Sequence, residues 1–208
     1  APPNRNDGRP IGLDHIAFQT KPKELFRRRC IIEPSIETFE PFPDYNLFED
    51  DLSLKLFANA LISNLNERFN KSLVCCLRKE DVERLHLAVL EILSERSDTH
   101  LFDDDVSFVH SSNRSFGDST DDCFEKFEQS TSGILIATSA LVSEGLDVPS
   151  IDSVYVTYQS QSISHLLQTA GRALRYSEGK SSAAIIQVKS NDLEYYFNSE
   201  WLYQDISD

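Results

Sequence analysis

Two arginines in the segment 166–180, LLQTAGRALRYSEGK, have the chemistry and the spacing to bind phosphate together. Arg172 and Arg175 are three residues apart, which places both on one face of a helix. A guanidinium is permanently charged, and its planar fork of donors matches the oxygens of a phosphate. Gly171 removes a side chain beside Arg172, so another surface can approach closely. Paired arginines on a helix also often serve solubility alone, and this pattern by itself leaves both interpretations open.

A second candidate site follows the apolar run 134–137. Thr138 and Ser139 offer hydroxyls and backbone amides that can bind phosphate. Gly145 permits a close backbone approach, and Asp147 offers a carboxylate to a ribose hydroxyl. The alternative is an ordinary capped helix that ends at a glycine turn and a proline.

Apolar periodicity predicts the elements that must position these groups. Spacing near 3.6 predicts helices at 52–69, 79–94, around 123–127 and at 166–174. Short apolar runs predict strands at 72–77, 106–109, 134–138, 154–158 and 183–188. Strands that alternate with helices indicate an α/β fold, with a parallel sheet covered by helices on both faces. Because such sheets bind ligands at the carboxyl ends of their strands, polar residues after each strand are the candidates.

The two ends of the chain differ from this regular middle part. Residues 1–45 hold most of the prolines and show little periodicity, which predicts a connecting segment with one short β-like run at 30–32. Residues 46–190 are predicted to form the main domain. The acidic, aromatic stretch 191–208 is predicted to be an amphipathic helical extension. The chain contains no methionine, which suggests a piece of a longer protein.

Composition and charge limit the class of protein. The 208 residues are 40% hydrophobic and 26% charged, as in soluble globular proteins. A net charge of −14 argues against binding nucleic acid through bulk electrostatics, although it allows a local basic groove. The acidic clusters at 49–51, 103–105 and 118–122 are predicted to be solvated loops or helix starts. No apolar run approaches the roughly 18–20 residues of a membrane span, and we expect an intracellular protein without membrane contact.

The four cysteines lack the spacing of a metal site. Cys75 and Cys76 are neighbours and would point to opposite sides of a strand, and neither Cys30 nor Cys123 adds a Cys-x-x-Cys pair. We therefore predict free thiols that pack as small apolar groups in a reducing compartment, and no metal ligands.

Taken together, the two candidate segments resemble motifs V and VI of superfamily 2 helicases. The shared order is a strand, Thr-Ser, Gly-Leu-Asp-Val-Pro, a second strand and then Gln-x-x-Gly-Arg-x-x-Arg, which begins at Gln168. The continuation through 173–180 into the predicted strand at 183–188 is most similar to the XPB and type III restriction branch. The resemblance implies a RecA-like domain, the C-terminal one of a pair.

Segments upstream extend the resemblance. The stretch 72–85, SLVCCLRKEDVERL, resembles motif IV, in which Arg78 follows the strand. His110 and Ser111 occupy the position where the family has a strand end that touches the nucleic-acid backbone. The N-terminal stretch 1–16 resembles the segment that begins with motif III, with Pro2 where the family commonly has threonine. That alignment implies a chain that starts where the first RecA-like domain ends.

The resemblance also implies which domain binds the nucleotide and which residues this chain contributes. The sequence contains no G-x-x-x-x-G-K-[ST] phosphate loop and no Asp-Glu-x-His or Asp-Glu-Ala-Asp run. ATP with Mg²⁺ would therefore be bound mainly by an N-terminal RecA-like domain of the same protein, and this chain alone would be inactive. The implied catalytic residues are Gln168, Arg172 and Arg175, with both arginines acting across the cleft. The implied nucleotide-site residues are Gly145, Asp147 and Gly171. Contacts to the nucleic-acid backbone are implied for Arg78, His110, Ser111, Thr138 and Ser139.

Three interpretations of the whole protein remain open at this level. The first is an ATP-dependent helicase or translocase that acts on nucleic acid, DNA rather than RNA. The second is a catalytically inactive scaffold or regulatory module, which the altered Ala-Pro-Pro start favours. The third is the motor part of a restriction or defence enzyme. The intact Gln168, Arg172 and Arg175 favour an active motor.

Overall fold

A computed structural model describes residue 32 and residues 34–40, 47–115, 117, 119–158, 171 and 175–189. Its described strands are β1 (Ser35–Phe39), β2 (Lys71–Cys76), β3 (Val106–His110), β4 (Asn113–Arg114), β5 (Gly133–Thr138), β6 (Ser153–Val156) and β7 (Ala184–Val188). Its described α-helices are α1 (Asp51–Glu67), α2 (Lys79–Glu95), α3 (Thr120–Gln129) and α4 (Ser139–Gly145). A 3₁₀ turn, Asp103–Asp105, precedes β3.

The seven strands form one sheet in the order β1-β7-β6-β2-β5-β3-β4. Neighbouring strands are parallel except β3 and β4, which are antiparallel. Strand β2 is central, and its Leu73 lies opposite Leu135 of β5 and Val154 of β6. This confirms the predicted α/β fold with a largely parallel sheet.

Helices cover both faces of the sheet, and each face has its own apolar core. Alternation along β2 sends Val74 and Cys76 to the face that packs against α1 and α2. It sends Leu73 and Cys75 to the face that packs against α3 and α4. Strand β2 is buried along its whole length, as expected for a central parallel strand. Cys75, Cys76 and Cys123 are buried in the two apolar cores, which confirms the interpretation of these three as core residues.

Residues of the acidic clusters begin helices or turns. The carboxylate of Asp50 accepts a hydrogen bond from the Ser53 amide at 2.6 Å and so caps α1. Ser119 and Asp122 form a capping box at the start of α3. The carboxylate of Asp105 accepts from the Phe102 amide at 2.9 Å in the 3₁₀ turn. These contacts confirm the helix-start interpretation for the described members of the clusters.

Strand β1 lies within residues 1–45, which were predicted to be a connecting segment. That prediction is corrected for the residues of this strand, because they belong to the sheet. It pairs in parallel with β7, from Ser35 opposite Ala184 to Phe39 opposite Val188. The strand is short and lies at the edge of the sheet in the part of the chain that the structure describes, and its exposed and half-buried residues show no clear alternation. Its Glu37 carboxylate binds the guanidinium of Arg68 through two hydrogen bonds, of 3.0 and 2.6 Å. The sheet of the main domain therefore includes a strand that begins at Ser35, upstream of the predicted start of the domain at residue 46.

Several other predictions concern the chain ends and membrane contact. Residues 30 and 31, the stretch 1–16 that resembles motif III and the extension 191–208 lie outside the described residues. The helix predicted at 166–174 is described only at Gly171, which is helical. Within the described ranges, none of the helices has the length and apolar character needed to cross a membrane.

Candidate nucleic-acid and nucleotide interface

Three adjacent strands bring predicted site residues to one edge of the sheet. Strand β5 lies between β2 and β3, and all three run parallel, so their carboxyl ends meet at the same edge. Arg78 follows β2 at the start of α2, and Ser111 lies in the turn after β3. Thr138 ends β5 opposite Cys76, and Ser139 begins α4. The fold thus places these side chains on neighbouring strand ends, although they are up to 61 residues apart in sequence.

These four residues differ in how far they reach solvent. Arg78 and Ser111 are exposed, whereas Thr138 and Ser139 are buried. The carbonyl oxygen of Ser139 accepts a hydrogen bond from the Ser143 hydroxyl at 2.5 Å, within α4. Arg78 and Ser111 are therefore the accessible polar side chains of this set, and Thr138 and Ser139 shape the strand-to-helix turn beneath them.

His110 is engaged within the domain. His110 is only 2% exposed, and its Nε2 lies 2.9 Å from a carboxylate oxygen of Glu83 on α2. Its Nδ1 accepts the Ser112 amide at 3.2 Å, which assigns the ring proton to Nε2. Both ring nitrogens are used internally, so the ring anchors the turn that carries Ser111. The predicted backbone contact by the imidazole itself gains no support from this geometry.

Lys79 is a candidate that the sequence analysis did not include among its site residues. It is exposed, and its ammonium donates to the Ser112 hydroxyl at 2.7 Å. This hydrogen bond links the start of α2 to the turn after β3. The available signal was a pair of basic residues, Arg78 and Lys79, directly after a buried strand. Burial raises the pKa of the nearby Asp81 carboxyl, while the Arg78 backbone, by hydrogen bonding, opposes that shift.

The structure also joins the two segments that contain Asp147 and Arg175. One guanidinium nitrogen of Arg175 donates directly to the Asp147 carboxylate, in an ion pair between residues 28 positions apart. The Arg175 side chain is 39% exposed and that of Asp147 is 74% exposed. Leu146 and Val148 on either side of Asp147 are buried in the core, so the loop that carries the carboxylate is anchored. The pair is fixed by its neighbours and open to solvent.

A family comparison agrees with these positions. Residues 54–177 match the model described as the helicase conserved C-terminal domain, which is more than half of the chain. The chain belongs to this family. The match covers the segments compared above with motifs IV, V and VI, and it confirms the prediction of a superfamily 2 helicase C-terminal domain. A comparison with curated protein sequences gives no significant match.

Solved structures share the fold of this helicase C-terminal domain. One is a fragment described as an HsdR subunit of a type I restriction enzyme from Vibrio vulnificus YJ016, with a TM-score of 0.64 and 23% identity. Another is the type ISP restriction-modification enzyme LlaBIII bound to DNA, with a TM-score of 0.56 and 14% identity. A third is domain 2 of the DEAD-box helicase Mss116p bound to an RNA duplex, with a TM-score of 0.54 and 15% identity. These likenesses establish a RecA-like fold.

The matched structures differ in how much of each chain they share with this one. The matches cover 87%, 85% and 76% of this chain in the same order. This chain in turn spans 35%, 13% and 55% of those proteins. This chain thus corresponds to only part of the length of each of these proteins.

The remaining predicted residues of the helicase C-terminal domain have a mixed outcome. Gln168 and Arg172 lie outside the described residues, so their placement stays a prediction. Gly145 is the last residue of α4, just before the loop that carries Asp147. An added Cβ at Gly171 would meet no heavy atom within 4 Å, so the space beside this glycine is open in the described part of the domain.

Proposed function

We propose that this helicase C-terminal domain is the second RecA-like domain of an intracellular ATP-dependent helicase or translocase. The observation that carries the proposal is the ion pair between Arg175 and Asp147. An arginine that stabilises charge on a transferring phosphoryl group must be held in place and still be reachable. Arg175 meets both conditions, since its partner lies on an anchored loop and its own side chain is partly exposed.

The proposal assigns this domain one side of a shared ATP site. Arg172 and Arg175, with Gln168, would act on ATP and Mg²⁺ that are bound mainly by an N-terminal RecA-like domain of the same protein. Gly145, Asp147 and Gly171 would lie beside the nucleotide. The sequence supplies no phosphate loop for this task, so the chain alone is expected to hydrolyse no ATP.

The carboxyl edge of β2, β5 and β3 would bind the nucleic-acid backbone. Arg78, Lys79 and Ser111 are exposed polar side chains at this edge. Contacts to phosphate position a strand without reading its sequence. We expect DNA rather than RNA, on the resemblance of the motif VI continuation to the XPB and type III restriction branch. One matched structure holds DNA and another holds RNA, so the choice requires an experiment.

The test is ATP hydrolysis by the full-length protein without nucleic acid, with single- and double-stranded DNA, and with single- and double-stranded RNA. Stimulation by DNA above the level without nucleic acid is the expected result. Stimulation by RNA alone would keep the motor assignment and reverse the choice of nucleic acid. A folded full-length protein that hydrolyses no ATP with any of these would favour the scaffold alternative.

Alanine in place of Arg78 or Lys79 is expected to weaken nucleic-acid binding about equally for unrelated sequences. Each change should also reduce the slope of log affinity against log salt by about 1, because one phosphate contact and its counterion release are lost. Fluorescence anisotropy with labelled oligonucleotides over a salt series measures both quantities.

Lys55→Ala is the matched control for this experiment. Lys55 is an exposed lysine on α1, paired at 2.5 Å with Glu91 on α2, and it does not belong to the carboxyl edge. Its removal should leave the salt slope unchanged. An equal loss of affinity for the control and for the two edge variants would contradict the assignment of this edge.

A further inference from the structure

Lys180 ties the chain after Asp147 to Arg175. Its ammonium donates to three backbone carbonyl oxygens, those of Pro149 at 3.2 Å, Arg175 at 2.9 Å and Ile151. Pro149 and Ile151 belong to the segment that directly follows Asp147. One cation thus joins two segments that are separated by about 25 residues of chain, through main-chain acceptors in both.

Arg175 is therefore held at two points. Its guanidinium binds the Asp147 carboxylate, and its carbonyl accepts from Lys180. Because Lys180 also holds the chain just after Asp147, it sets the position of both partners of the ion pair. We propose that Lys180 is a positioning residue that fixes the Arg175 guanidinium for ATP hydrolysis. This inference rests on the function proposed above for Arg175.

Lys180 lies in a polar cavity of about 440 Å³ at the amino-terminal edge of the sheet. Burial lowers the pKa of its ammonium to about 8, while the carboxylates of Asp152 and Glu128 oppose that shift. The other charged side chains that line the cavity are Arg68, Lys71 and Glu178. A lysine with three hydrogen-bond acceptors and a pKa near 8 changes its bonding within the range where enzymes are assayed.

Deprotonation of Lys180 must weaken the tie to Arg175. An ammonium has three N–H donors, and the carbonyls of Pro149, Arg175 and Ile151 are among its acceptors here. A neutral amine has two, so at least one carbonyl loses its donor, and the remaining bonds lose their charge. Arg175 should therefore be held less firmly as pH rises above about 8.

Lys71 provides a matched control in the same cavity. It is buried, and burial lowers the pKa of its ammonium as well. Its ammonium donates to the Glu128 carbonyl at 2.7 Å and to the Ser150 hydroxyl at 2.9 Å. These bonds link β2 to α3 and to the loop before β6, and they do not involve Arg175. Loss of Lys71 should therefore cost stability without displacing the guanidinium.

The experiment compares wild type, Lys180→Met, Lys180→Arg and Lys71→Met in the full-length protein. For Lys180→Met we expect kcat for ATP hydrolysis to fall by roughly 10–100-fold with KM for ATP little changed, because a misplaced catalytic group costs rate. Lys71→Met should keep kcat near the wild-type value. Wild-type kcat should decline above about pH 8; Lys180→Met should lack this decline, and Lys180→Arg should move it to higher pH.

Stability should follow the opposite trend with pH. The folded-state pKa of Lys180 is about 8, below the roughly 10.4 of an unfolded lysine. Between these values the unfolded state binds more protons, so the contribution of Lys180 to the free energy of unfolding rises with pH. Urea unfolding of wild type and Lys180→Met across this range measures that contribution. If Lys180 is purely structural, kcat should not change as Lys180 loses its proton, whereas kcat should fall if Lys180 positions Arg175.

The outcomes separate this inference from the proposed function. Hydrolysis that survives Arg175→Ala would overturn the catalytic role proposed above for Arg175 and with it the role of Lys180. Loss of hydrolysis in Arg175→Ala, together with wild-type kcat and an unchanged alkaline decline in Lys180→Met, would overturn the Lys180 inference alone. Equal losses of stability in Lys180→Met and Lys71→Met, without any change in kcat, would likewise leave Lys180 a structural residue only.

Discussion

Arg175→Ala should reduce nucleic-acid-stimulated ATP hydrolysis by the full-length protein about 10³-fold or more. Arginines that reach a transferring phosphoryl group across a domain boundary contribute about 10³–10⁵ in rate. Arg175 fits this task because Asp147 orients its guanidinium while the side chain stays 39% exposed. We expect the same from Arg172→Ala on the motif VI resemblance. The steady-state rate at saturating ATP and nucleic acid measures the effect.

The fold should survive Arg175→Ala, which keeps the result interpretable. Exposed ion pairs contribute about 0–1 kcal/mol, and the Asp147 carboxylate left behind is well solvated. Arg84→Ala is the matched control, since Arg84 also forms an exposed ion pair with an aspartate, Asp51, at 2.8 Å. That pair lies between α2 and α1, away from motifs V and VI. Equal rates in both variants would show that Arg175 has no catalytic role.

Gly133→Ala should lower the free energy of unfolding of this chain by about 3 kcal/mol, the largest stability effect that we expect from a single methyl group. Gly133 begins β5 with φ of 155°, a backbone conformation that residues with a side chain rarely adopt. An added Cβ would lie 2.5 Å from the carbonyl oxygen of Asp105. This neighbour is backbone at the end of the 3₁₀ turn, so it cannot rotate away as a side chain would.

The cost at Gly133 is high because three segments meet there. Its amide donates to the Asn70 carbonyl at 2.9 Å, and the residue lies opposite Lys71 at the start of β2. Gly179→Ala is the matched control, since Gly179 has φ of 81° but no heavy atom within 4 Å of an added Cβ. It should cost only the strain of the left-handed conformation, about 1–2 kcal/mol. Urea unfolding measures both; equal losses would mean that the contact with Asp105 is unimportant.

Local pattern predicted the elements whose environment is uniform along their length. Strand β2 is buried throughout, so its continuous apolar run was visible in the sequence. Helices α1 and α2 each bury one face, and their apolar spacing predicted them to within a residue or two. Strand β1 was missed because an edge strand lacks such a pattern, and its pairing with β7 joins segments about 150 residues apart. The residues around β1 in the sequence therefore could not predict its pairing with β7.

For the candidate site, the sequence likewise predicted which residues take part but not which of them contact each other. Residue types and spacing made Arg175 and Asp147 candidates, and the resemblance to helicase motifs added Arg78 and Ser111. The family comparison agrees for the segments that contain them. Spacing did not reveal that Arg175 binds Asp147, because a pair 28 residues apart is brought together by the crossover between strands. His110 was predicted to contact nucleic acid, and only the packing of Glu83 against it shows a ring engaged within the domain.

The sequence by itself therefore determined the family, the α/β class and the chemical groups available to a phosphate site. These depend on residue type and on periodicity over a few turns or strands, which short stretches of chain carry in full. Only the tertiary structure decided the strand order, the exposed members of the site and the tie from Lys180 to Arg175. Lys180 binds backbone carbonyls, and a carbonyl is present at every residue, so no side-chain pattern can mark its partners. Only folding brings the half-buried ammonium of Lys180 to these particular carbonyls.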